Sequence, residues 1–195
     1  MQHVSFSALK NWNQCPYYYK ITYVDKIKKF VGNHYTAFGT AVHEVCEKRI
    51  EDDSITNEPE LFELAFLKEL KSLPDLVIKT PDGKFHVIDW KTCSWGWNMQ
   101  RKSDPMTTYQ LTYYKHYYSR KHNVPMEDIE THFGLLKRTA KKDQVEIFRV
   151  TSGPKKVDNA MKLLNRALYN IQSGKYIKNK LSCSKCEFKN TPECP

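Results

Sequence analysis

No apolar run in the sequence approaches the roughly 20 residues that span a bilayer, so no membrane-crossing helix is expected. The N-terminal stretch MQHVSFSALKNWNQCP has no basic segment followed by an apolar one, so it does not read as a secretion signal. The six cysteines are therefore expected in a reducing compartment, where metal binding is commoner than disulfides. Internal repeats and low-complexity tracts are absent, and 195 residues suit one domain with a real core. Acidic residues are in short supply: 22 Asp and Glu face 31 Lys and Arg, a net charge of +9. That excess favours an anionic partner, nucleic acid first and an anionic membrane surface second. Aromatic residues, by contrast, are plentiful, with 12 Tyr, 9 Phe and 4 Trp.

The most informative stretch is LPDLVIKTPDGKFHVIDWK, residues 73–91. Leu76, Val77 and Ile78 form one apolar run, and Phe85, Val87 and Ile88 form a second. Between them Thr80-Pro81-Asp82-Gly83 is turn chemistry, with proline presetting φ and glycine accepting φ > 0. Charge is rare in such runs because burying an unpaired carboxylate is costly. Yet Asp75 opens the first strand, and Asp89 and Lys91 close the second on one face, since alternate strand residues point the same way. Two carboxylates and an amine at one end of a hairpin suit a hard divalent cation and an activated water.

The other segments are arranged around this hairpin. A helix is expected to start at Ser5-Phe6-Ser7, with either serine as N-cap and with Leu9 and Trp12 on its apolar face. It leads to Cys15-Pro16 and the cluster Tyr17, Tyr18, Tyr19. Residues 37–50 read as a helix on which His43 and Glu47 are i,i+4, either converging on a site or forming a solvated pair. An acidic polar loop follows, and then an amphipathic helix, LFELAFLKELKS. After the hairpin comes a tryptophan-rich loop, TCSWGWNMQRKSDP. Its Trp95 and Trp97, with Arg101 and Lys102, suit stacking on unpaired bases, or else the indoles cover the core. Residues 106–121 form a helix that places Gln110 and Tyr114 i,i+4. THFGLLKR (131–138) and QVEIFRV (144–150) read as a hairpin whose turn is basic, and Lys137 and Arg138 are candidate phosphate contacts. Residues 155–173 carry an amphipathic stripe from Val157 to Ile171, closed by Gly174.

The tail, LSCSKCEFKNTPECP, holds Cys183, Cys186 and Cys194, a density typical of a metal site. Three thiols are one short of the usual four, and Cys15, Cys46 and Cys93 are the candidates for the fourth.

Together the segments SFSALKNWNQCP, FGTAVHE, LPDLVI, VIDWKT, QLTYY and CSKCEF with its later cysteine resemble the RecB-type branch of the PD-(D/E)xK nucleases. The likeness is to its small iron–sulfur members, which include CRISPR-associated exonucleases and phage homologues, and it covers nearly the whole chain. It implies an α/β, restriction-endonuclease-like core: a central mixed sheet flanked by helices, with the two chain ends joined by a four-cysteine metal cluster. One nuclease domain over 1–195 is then expected, with an N-terminal segment 1–36, a core 37–173 and a cluster segment 174–195. The resemblance implies metal binding by His43, Asp75, Asp89 and the backbone carbonyl of Trp90. It makes Lys91 the catalytic lysine and adds Gln110 and Tyr114. It assigns a 4Fe–4S cluster to Cys15, Cys183, Cys186 and Cys194, with structural zinc as the alternative.

The function implied is magnesium- or manganese-dependent hydrolysis of DNA phosphodiesters, as an exonuclease on single-stranded DNA or DNA ends. It would act in the cytoplasm of a bacterial, archaeal or phage-infected cell, with a helicase or recombination partner in trans. The chain departs from the family pattern where a helical segment runs almost directly into Leu73-Pro74-Asp75, in place of a further strand. Two other classes compete with the enzyme: a catalytically inactive DNA-binding accessory protein on the same scaffold, and a zinc-binding structural protein.

Overall fold

The structure, a computed structural model, describes residues 4–27 and 76–195. The segments read as helical within 37–72, together with His43, Cys46, Glu47 and Asp75, lie outside the described residues. The chain divides into two compact units, one of Met1–Val31 with Asp158–Pro195 and the other of Gly32–Val157.

Among the described residues, the second unit is built on a four-stranded mixed sheet in the order β1-β2-β3-β4. Strands β1 (Leu76–Lys79) and β2 (Phe85–Cys93) form the expected antiparallel hairpin. The Thr80 N–H donates to the Lys84 carbonyl at 2.8 Å and the Gly83 N–H to the Thr80 carbonyl at 2.9 Å, with Gly83 at φ 86°. That φ explains why glycine occupies the turn. Strand β2 runs on to Cys93, two residues past Lys91, because it pairs along its length with β3 (Ile129–Lys137) in parallel. A parallel pair needs a long crossover, and helices fill it here.

The first of them is α3 (Met99–Ser103), where a loop was expected from the sequence. Asn98 starts it, its side-chain oxygen accepting from the Arg101 N–H at 2.9 Å. The second is α4 (Pro105–His122), which takes in the expected 106–121 helix. Pro105 suits its first turn, where the missing N–H costs nothing. Asn123 closes it in the left-handed region at φ 52°. Strand β4 (Val145–Arg149) returns antiparallel to β3. The β3–β4 hairpin begins two residues earlier than its hydrophobic pattern suggested, at Ile129.

Alternation sorts the sheet into two faces. Val87, Asp89, Lys91, Ile129, Thr131, Phe133, Leu135 and Phe148 share one, and α4 covers it: Phe85 meets Tyr118 with ring centroids 5.7 Å apart. Trp97, Leu111, Phe133, Leu135 and Val150 form the core there, with Tyr114, Phe148 and Cys93 packed against it. Buried hydroxyls in this region are satisfied, Thr131 Oγ1 donating to the Val150 carbonyl and Thr112 Oγ1 pairing with Ser152 Oγ.

The first unit brings the two ends of the sequence together. Helix α1 (Phe6–Gln14) is capped by Ser5, the first of the two candidate serines, whose Oγ accepts from the Ala8 N–H at 3.2 Å. Ala8, Leu9 and Trp12 are its buried face. A short helix α2 (Pro16–Tyr19) continues into one turn of π-helix, and Tyr19 stacks between Tyr23 and Tyr176. Helix α5 (Pro154–Gln172) buries Ala160, Ala167 and Ile171, three members of the expected stripe. Gly174, at φ 65°, follows its end. The C-terminal segment then packs on the N-terminal one. The Asn179 amide donates to the Gln14 carbonyl at 2.8 Å, and Tyr18 Oη donates to Glu187 beside a fully buried Phe188. Burial, then that hydrogen bond to Glu187, raises the Tyr18 pKa to about 12.

Among the described residues no helix is long and apolar enough to cross a membrane.

Candidate active site

Strand β2 and helix α4 meet over one buried carboxylate. Asp89 is only 2% exposed, an unusual setting for an acid, and both of its oxygens are answered. Lys91 Nζ lies 2.6 Å from Oδ2, and the Gln110 amide donates to Oδ1 at 2.9 Å. The same amide nitrogen donates its other hydrogen to Tyr114 Oη at 2.9 Å. Two of the pairings follow from local geometry, since Asp89 and Lys91 are i,i+2 on a strand and Gln110 and Tyr114 are i,i+4 on a helix, while Gln110 meets Asp89 only through the packing of α4 on β2. The Lys91 side chain is 31% exposed, so its amine stands where buried carboxylate meets solvent.

Asp89, Lys91, Gln110 and Tyr114 are thus brought together. His43 and Asp75 lie outside the described residues. Trp90 sits in β2 between Asp89 and Lys91, and its indole is on the opposite face, against Gly134.

The expected base-stacking group separates. Trp95 is 77% exposed. Trp97 instead belongs to the core, edge-on to Phe133 and Phe148, and the Arg101 guanidinium lies 4.4 Å from its ring centroid. For Trp97 the second of the two readings holds, and its indole covers the core. Lys102 and Lys137 both pair with Glu146. The bonded Lys102 ammonium, more than that of Lys137, holds the Glu146 carboxyl below its usual range. Arg138 donates to Ser94 Oγ at 3.3 Å.

The cysteines divide similarly. Cys15 and Cys183 meet around Asn179, whose N–H donates to Cys15 Sγ at 3.3 Å and whose carbonyl accepts from Cys183 Sγ at 3.7 Å. Cys186 and Cys194 lie further along the same segment, and all four are free thiols. No three of them come within 4.8 Å of one another. Among the described residues the one group of metal-competent side chains that close is His86, Glu130 and His132, which sequence reading missed. The local signal was thin: Glu-x-His in β3 and a single histidine 44 positions earlier in β2.

The sequence matches the family profile described as the PD-(D/E)XK nuclease superfamily over residues 3–65 and 47–191. With that match over most of its length, the chain belongs to the PD-(D/E)XK nuclease superfamily. The four-stranded mixed sheet with its helices fits a restriction-endonuclease-like fold. No curated protein matches the chain significantly.

Proposed function

We propose that this chain is a divalent-metal-dependent deoxyribonuclease that works as an exonuclease on single-stranded DNA or DNA ends. One observation carries the reading: a buried aspartate, a half-exposed lysine two residues on, and a glutamine–tyrosine pair that fixes the aspartate from the neighbouring helix. The donor chemistry suits a hard cation, because Asp89 presents carboxylate oxygen in a dry setting and already attracts a cation there. Asp89, with Asp75, His43 and the Trp90 carbonyl, would hold magnesium or manganese. When bound, such an ion polarises phosphate oxygen and lowers the pKa of water.

The protein's own groups do the rest. Gln110, by donating to Asp89 and Tyr114 at once, keeps the carboxylate from rotating. Lys91 offers its ammonium to the phosphate oxygens or to the attacking water, where negative charge grows in the transition state. Basic surface and the exposed indole of Trp95 supply sequence-independent grip on the strand. We treat residues 1–195 as one nuclease domain serving this site.

The test is digestion of end-labelled linear and circular DNA, single- and double-stranded, with magnesium or manganese. Metal-dependent loss of linear substrate from its ends, with circles spared, is the expected outcome. Cleavage of circles would make it an endonuclease, and binding without cleavage under every condition would leave only the accessory-protein reading.

We further propose that Cys15, Cys183, Cys186 and Cys194 hold a 4Fe–4S cluster. The convergence of Cys15 and Cys183 on Asn179 supports this, and a cuboidal cluster holds its thiolates further apart than a single ion does. Protein purified without oxygen is then expected to be brown with broad visible absorbance. Colourless protein carrying one equivalent of zinc would establish the zinc alternative.

A further inference from the structure

The face of the sheet opposite Asp89 and Lys91 carries a second group of ligating side chains. Parallel pairing sets His86 of β2 against Glu130 of β3, and Ile88 against His132. His86, Glu130 and His132 therefore project on one side. The facing atoms form a compact triangle: His86 Nδ1 to His132 Nε2 is 3.1 Å, and Glu130 Oε2 lies 4.0 Å from the first and 3.8 Å from the second.

We infer that His86, Glu130 and His132 form a binding site for a zinc-class divalent ion, independent of the nuclease residues and on the other side of the sheet. The point equidistant from the three atoms in their common plane lies about 2.1 Å from each, within the about 2.0 to 2.2 Å of zinc–imidazole and zinc–carboxylate bonds. The carboxylate is divided in the manner of a supported ligand. Its Oε1 is held by Arg149 at 3.1 Å and Lys84 at 3.5 Å, while Oε2 is turned to the two imidazoles.

The donor set also selects the metal. Two imidazoles suit zinc, cobalt and nickel, whereas magnesium wants oxygen. The one carboxylate already faces two cations, so it offers magnesium little net charge. Side-chain exposures of 26% for His86, 13% for Glu130 and 15% for His132 leave the group open to solvent, from which an ion can enter. An ion there ties β2 to β3 three residues before Asp89, bracing the strand that carries the nuclease pair.

The test uses the full-length protein, stripped of metal and titrated with Co²⁺ in excess magnesium. Cobalt on nitrogen and oxygen ligands gives ligand-field bands without the intense charge-transfer band of thiolate ligation, which separates this site from the cysteines. One such equivalent is expected in the wild type and in Asp89→Ala, with affinity falling at least tenfold in His86→Ala and in His132→Ala. Zn²⁺ should raise the melting temperature of the wild type more than that of either histidine variant. Should those variants fail to fold, ring-nitrogen NMR of the wild type decides: Zn²⁺ is expected to shift His86 and His132 selectively. No thiolate-free equivalent in the wild type, unchanged affinity in both histidine variants, or unmoved His86 and His132 resonances would overturn the site. Because Asp89→Ala retains the site, failure here is distinguishable from failure of the nuclease reading.

Discussion

Lys91→Ala is expected to lower the rate of DNA cleavage about a thousandfold, the scale seen when one preorganised donor to a developing oxyanion is lost. DNA binding should change little, since Lys91 is one of 31 basic residues. The variant has a second, separable signature. Asp89 is 2% exposed and its Oδ2 lies 2.6 Å from the lysine amine. Removing that amine takes away the cation facing a buried carboxylate, a change that typically costs about 3 to 5 kcal/mol when a buried pair is broken. The Gln110 amide remains on Oδ1 and softens the loss. Without divalent metal, Lys91→Ala should therefore melt below the wild type, and magnesium or manganese should restore much of the difference by supplying positive charge to the same oxygens.

Asp89→Asn makes the opposite comparison. Its side-chain oxygen can still accept from Gln110, and the neutral group needs no counter-ion. Cleavage should be lost with a smaller change in melting temperature and no rescue by metal. Initial rates on end-labelled DNA, binding by fluorescence anisotropy, and melting with and without metal decide the matter. Wild-type cleavage rates in either variant would remove the proposed mechanism.

Gly134→Ala is the second large effect, and it acts by sterics. A Cβ built on Gly134 would lie 2.3 Å from Trp90 Cε3 and 2.4 Å from Cζ3. Gly134 sits in β3, paired with β2 on one side and β4 on the other, so the backbone has little freedom to yield. Trp90 is 9% exposed and large, so its indole must be displaced. Overpacking of this kind costs about 1 to 3 kcal/mol. For a chain of this size each kcal/mol lowers the melting temperature by about 2 to 4 °C. Trp90 lies between Asp89 and Lys91, so strain on its backbone reaches both, and cleavage should fall along with stability. Trp90→Leu, itself destabilising, makes room for the methyl group. Gly134→Ala should therefore cost less in that background, and thermal melts of the four proteins in a double-mutant cycle measure the difference. An equal cost in both backgrounds would show that the indole is not the obstacle.

Much of the site could be read in one dimension because its pieces are local. Asp89 and Lys91 share a strand face by a two-residue period, and Gln110 and Tyr114 share a helix face by a four-residue one. The hairpin turn announced itself through Pro81 and Gly83, and the last long helix through its apolar stripe. Local chemistry also explains the short helix at Met99–Ser103, but only with hindsight. Asn98 is as common in loops as at N-caps, and the tryptophans around it drew the reading towards a binding loop.

Among the described residues, what the sequence by itself determined is most of the elements and the side chains each presents on one face, since strand and helix periods follow from backbone geometry. Its family pattern likewise pointed to the superfamily. What only the tertiary structure decided is which faces meet. That Gln110 reaches Asp89 and that Trp97 is core while Trp95 is surface depend on α4 packing over β2 and β3, and that Gly134 lies against Trp90 depends on the pairing of β2 with β3. The setting of His86 beside Glu130 and His132 depends in addition on the parallel register of strands more than 40 residues apart. Register between distant strands is a long-range property: each strand's alternation fixes which face it buries, but which residues pair is chosen only when the strands meet.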